Sequence, residues 1–78
     1  MKFKIVLIEW MDSHGVVTHW EKIDDLEPLK PVQCRTVGYL IKNSKKYKTV
    51  AQSVGGNQVL GRMTIPAKSI TNIVEIKV

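Results

Sequence analysis

A chain of 78 residues has room for one domain and none for a second, so residues 1–78 read as a single unit. One cysteine excludes an internal disulfide, and His14, His19 and Cys34 follow no metal-ligand spacing, so two of the usual staples of small domains are missing. Twelve Lys and Arg against seven Asp and Glu give a formal charge of +5, which admits anionic partners without requiring them.

The opening MKFKIVLIEW resembles a secretion signal only superficially. Its apolar run is short, Glu9 interrupts it and no small-residue cleavage site follows. It predicts a first strand over 2–11, with Phe3, Ile5 and Leu7 on one side and Val6, Ile8 and Trp10 on the other, both sides being covered. DSHG at 12–15 is turn chemistry. VVTHWEKI at 16–23 reads as a short strand or an extended arm, and DDLEPLKP as an ordered loop with room for one helical turn, because Pro28 and Pro31 limit its length.

From residue 32 the pattern is a meander. VQCRTVGYLIK is a strand, NSKK a hairpin turn, YKTVAQSV the return, GGN a tight turn, QVLGRMTI another strand and TNIVEIKV the last. The class is all-β. Gly38 and Gly61 fall inside strands, where glycine marks a bulge or a close approach of backbones. Pro66 cannot donate to a ladder, so the strand stops there, and PAKS at 66–69 has the length of one 3₁₀ turn. No segment is long enough to cross a membrane, and the lone cysteine fits a soluble, intracellular chain.

A long first loop, a three-strand meander, a 3₁₀ turn and a short closing strand resemble a five-stranded SH3-like barrel or the related Sm-like barrel. A narrower resemblance rests on EWMD at 9–12, Trp20, CRTVGYL at 34–40 and MTIP at 63–66. These look like the W-x-D, C-x-[ST]-V-G-[YW]-L and [MT]-x-I-P motifs of a family of small, uncharacterised phage-encoded proteins. The resemblance implies a bacteriophage origin and residence in the host bacterial cytoplasm. It carries no chemistry that transfers to particular residues.

Candidate site residues come from residue type. Trp10 and Trp20 flank the polar turn and can stack on a ring or grip a peptide, or one or both can fill the core. Arg35 and Arg62, the only arginines, lie inside strands and offer planar forks for phosphate or carboxylate; the ordinary role for either is a cross-strand partner such as Glu9 or Glu75. Ser13, His14 and Thr64 supply polar orientation. Lys42, Lys45, Lys46 and Lys48 read as a solvated hairpin tip that protects an edge more than as a phosphate site. Cys34 reads as a small buried hydrophobe. GGNQVLG lacks the spacing of a phosphate-cradling loop. Asp12, Ser13, His14, His19 and Cys34 form no nucleophile motif, so catalysis ranks last.

Apolar residues on both faces of the first strand and in the last strand, where Ile70, Val74, Ile76 and Val78 share one alternation, point to a homo-oligomer. The expectation is a non-catalytic phage module without a cofactor. It is homo-oligomeric and holds a small anionic ligand such as a nucleotide, with sequestration of a host immune signalling nucleotide as its use. The alternative is a protein-interaction module that docks on a host or phage protein along Trp10, Trp20 and DDLE. Nucleic acid is a weaker partner, because no basic stripe with interleaved aromatics is present.

Overall fold

Turn residues punctuate the chain into five antiparallel strands of one sheet. In the computed structural model, which describes residues 3–13, 15 and 17–78, these are β1 (Ile5–Asp12), β2 (Val32–Asn43), β3 (Tyr47–Gly55), β4 (Gln58–Pro66) and β5 (Ile70–Ile76). Their order across the sheet is β4-β3-β2-β1-β5. The all-β class and the five strands agree with the sequence reading. So does the single 3₁₀ turn, Ala67–Ser69, between Pro66 and the last strand. The segment 16–23 makes no strand among its described residues. A second 3₁₀ turn, Ile23–Asp25, is the one turn of helix the following loop can hold before its prolines.

Alternation in β1 sends Val6 and Ile8 inward, where they meet Val50 of β3 and Ile65 of β4. Trp10, Leu40 and Ile70 pack against this cluster. Val6, Ile8, Val50, Ala51 and Ile65 are the only fully buried apolar residues among those described, a small core for a domain. The sheet bends sharply to make it. A Cβ on Gly38 would stand 2.9 Å from the Ala51 carbonyl oxygen and 3.2 Å from the Val50 Cβ, so only glycine lets β2 and β3 come this close. Gly38→Ala is therefore expected to cost about 1–3 kcal/mol, because a backbone oxygen must move; urea unfolding followed by circular dichroism measures it.

Irregularities re-aim particular side chains. β2 carries an extra residue at Ile41 in its pairing with β3, and β5 carries one at Thr71 in its pairing with β1. The second bulge changes the expected alternation of β5. Ile70 pairs with Trp10 and Ile73 with Ile8, so both belong to the core face, while Val74 and Ile76 lie opposite Leu7 and Ile5 on the other face. In the β3–β4 turn Gly56 has φ 58° and Asn57 does not have positive φ, the pattern of a two-residue turn with glycine first.

Closure is where the barrel expectation is refined. β4 and β5 are the two edges of the sheet and do not pair, so it is bent like a barrel but open. The β2–β3 ladder ends at Tyr39–Ala51, whereas β3 and β4 continue together to Gly55–Gln58. Residues 52–61 thus run on as a ribbon joined only to itself. The molecule extends over 55 × 23 × 22 Å with a radius of gyration of 16.3 Å, against about 11.5 Å for a compact chain of this length. It exposes 6766 Å², where a folded monomer of its mass exposes about 4,800 Å².

Candidate anion-binding site

Register brings three strands together on the face of the sheet that carries Thr49. Lys42 of β2 lies opposite Thr49 of β3, and Thr49 lies opposite Thr64 of β4, making one row. Arg62 lies two residues along β4 on the same face, opposite Ala51. The bulge at Ile41 turns that side chain and Lys42 towards the same place. With Tyr47 they line an open concavity of about 510 Å³: Ile41, Lys42, Tyr47, Thr49, Arg62 and Thr64.

Two cations and two threonine hydroxyls line the concavity. The Thr49 and Thr64 hydroxyls share a 2.8 Å hydrogen bond, which satisfies Thr49, the one buried polar side chain among the described residues, and leaves Thr64 facing solvent. Among the described residues the three ion pairs are Lys4–Glu75, Arg35–Glu9 and Lys77–Glu75, so neither Arg62 nor Lys42 is neutralised by a carboxylate. A guanidinium fork and an ammonium beside an aromatic ring and a hydroxyl can hold a phosphate and cover a flat ring. No lining residue is a carboxylate, imidazole or thiol.

Of the seven candidates read from sequence, Arg62 and Thr64 converge here, and the other four that the structure describes do not. Trp10 is half-buried against the core, and its indole N–H donates to the Thr36 Oγ1 at 2.9 Å. Ser13 follows the end of β1, its backbone N–H bonded to Asp12 Oδ1 at 2.9 Å. His14 lies outside the described residues. Trp20 stands fully exposed in the long loop. Arg35 takes the ordinary role: it lies directly opposite Glu9 and its Nε donates to Glu9 Oε2 at 3.4 Å. Cys34 is half-buried, its thiol directed at the Val32 carbonyl oxygen at 3.6 Å. At the hairpin tip Lys45 and Lys46 are exposed, while the Lys48 ammonium turns back to Asn43 Oδ1 and to the Ser44 carbonyl oxygen.

Sequence reading missed Tyr47 and Thr49 as members of a site and gave Lys42 to the solvated hairpin tip over a phosphate role. The signal that finds them is the hairpin itself: fixing the NSKK turn sets Lys42 against Thr49, and fixing GGN sets Thr49 against Thr64.

Glu9 organises the other end of the sheet, accepting from Asn72 Nδ2 at 3.2 Å and from Arg35, so it ties β5, β1 and β2 together. The Asn72 bond first, then Arg35, hold its carboxyl below the ordinary value. Lys77 first, then Lys4, do the same for Glu75. Both folded-state values are depressed, so the stability they contribute is present above the unfolded value and lost as pH falls through the folded one. Melting temperature should hold from neutral pH to about 5 and drop towards pH 3, and Glu9→Gln should flatten part of that drop. Thermal melts of both proteins across this range test it.

Comparison with protein-family models, curated proteins and solved structures finds no match. Among the described residues no helix is long and apolar enough to cross a membrane, and no group of three or more His, Cys, Asp or Glu is placed to hold a metal ion.

Proposed function

We propose that the protein is a non-catalytic, homo-oligomeric binding module that holds a small phosphate-bearing ligand, of the nucleotide class, in the concavity over β2, β3 and β4. The observation that carries this reading is the convergence of Arg62, Lys42, Tyr47 and the Thr49–Thr64 pair around one opening, with both cations unpaired by any described carboxylate. Arg62 and Lys42 hold the phosphate, Tyr47 covers the ring and Thr64 orients the polar edge. The absence of a carboxylate, imidazole or thiol from the lining favours retention of the ligand over turnover. The spaced tryptophan, CRTVGYL and MTIP motifs support a bacteriophage protein working in the host cytoplasm, where retention of a host immune signalling nucleotide is a use for such a site.

Size exclusion with light scattering on freshly purified protein tests the reading, with absorbance at 260 and 280 nm recorded together. A multimer peak with excess absorbance at 260 nm, released as a small molecule on denaturation, is expected. Protein that arrives bare and then takes up no nucleotide in equilibrium dialysis overturns the ligand. The exposure of Trp20 and its acidic neighbours favours a second role for the long loop, as a docking element.

A further inference from the structure

The loop between β1 and β2 is built unlike the rest of the chain. Every residue from Val17 to Gln33 is exposed, including Trp20, Ile23, Leu26 and Leu29. Four apolar side chains at intervals of three, left in water on a segment held partly extended by Pro28 and Pro31, are costly unless something covers them. The same segment carries the acidic charge. From Val17 to Pro31 four carboxylates face two lysines, a balance of −2. The rest of the chain has ten cations and three carboxylates, a balance of +7.

A second element is equally exposed. The β3–β4 ribbon from residue 52 to 61 pairs only with itself, and its Val59 and Leu60 stand in solvent. Isolated two-stranded ribbons are marginal in water and need a surface to lie on. At its tip Phe3, Val54 and Val59 help line an apolar dip of about 140 Å³. The arm offers apolar side chains and net negative charge; the ribbon is itself uncharged, exposes Val59 and Leu60, and belongs to a body of positive balance, and one chain carries both.

We propose that the arm Val17–Pro31 of one copy lies on the β3–β4 ribbon of another, so that each copy gives an arm and receives one. This rests on the homo-oligomeric part of the proposed function and names the surfaces that make it. Area supports a second copy as the occupant. The chain exposes about 2,000 Å² more than a compact monomer of its mass, and a stable interface covers about 800 Å² on each partner. Giving one arm and receiving another fits that excess. Apolar contact supplies the affinity and fixes the seat, while the opposed charges of arm and body speed encounter.

Two measurements on the full chain test this. In light scattering across a dilution series, Trp20→Ser/Ile23→Ser/Leu26→Ser is expected to run as a monomer where the parent is a multimer. Its circular dichroism should stay β-type, because all three residues are exposed. Asp24→Lys/Asp25→Lys should shift the dissociation midpoint by about tenfold to higher concentration. In the second measurement, a photo-crosslinker is placed on Ile23→Cys in a Cys34→Ser background, in a mixture of ¹⁵N-labelled and unlabelled chains. Mixed-isotope products joining the arm to residues 52–61 are expected. Cross-links confined to one chain, or joining a second copy elsewhere, overturn the proposal, as does a parent that is monomeric at every concentration. A parent multimer unaffected by the arm changes overturns the arm's role and leaves the homo-oligomeric reading standing.

Discussion

Arg62→Ala should weaken binding of a nucleoside diphosphate or of inorganic pyrophosphate by roughly 10- to 150-fold, the loss of one charge-assisted contact of about 1.5–3 kcal/mol. Lys42→Ala should act in the same direction by a smaller factor, since an ammonium is a point charge without the fork of a guanidinium. Arg35→Ala is the internal control. It has the same chemistry, but its side chain is engaged by Glu9 at the β1–β2 pairing. Titration calorimetry on the three variants separates a site on the β2–β4 face from a general attraction of a +5 chain for anions, which would respond equally to each lost charge. Loss of binding in Arg35→Ala with Arg62→Ala unchanged would move the site to the other end of the sheet. Added salt should weaken pyrophosphate more than an uncharged nucleoside, whose proposed contact is the Tyr47 ring.

The second large effect lies in the core. Ile8 and Ile65 are the two largest fully buried side chains. Truncating either to alanine should cost about 2–5 kcal/mol, from lost transfer energy and the cavity left behind. A chain of this length has roughly 4–12 kcal/mol in total, so Ile65→Ala is expected to remove a large fraction of its stability. With so few buried neighbours, little else can relax to fill the space. Urea unfolding at fixed protein concentration should show the midpoint falling steeply or the cooperative transition disappearing, while Val78→Ala, fully exposed, should change it by no more than about 0.5 kcal/mol. Concentration is held constant because self-association, where it occurs, adds to apparent stability by mass action.

Strands and turns were legible in the sequence because their signals are local. NSKK and GGN mark two hairpins, Pro66 ends a strand, and PAKS supplies the 3₁₀ turn before β5. Gly38 was legible as a close approach, since only the absent Cβ lets its backbone stand against Ala51. The bulges at Ile41 and Thr71 were not legible, because an extra residue in a ladder leaves no mark on composition. Their consequences were missed with them: Ile70 joins Ile73 on one face, and Ile41 turns towards the concavity. Arg62 and Thr64 were found from residue type alone. Lys42, Tyr47 and Thr49 required the register across three strands. Glu9 was named with Glu75 as a cross-strand partner for an arginine, and the β1–β2 register assigns it to Arg35, 26 residues away in sequence and directly opposite in the sheet.

The open sheet has a consequence for hydrogen exchange. Along β4 and β5 alternate amides point away from the only neighbouring strand, and among the described residues no further strand pairs with them. In an isolated chain these protons should exchange within the shortest labelling times, while those turned towards β3 and β1 persist. A mass-spectrometric time course would thus give each edge an alternating pattern of fast and slow sites. Any surface that covers an edge with backbone erases the alternation on that edge alone, so the chain carries its own reporter of how it is joined, strand by strand, without a label or a probe.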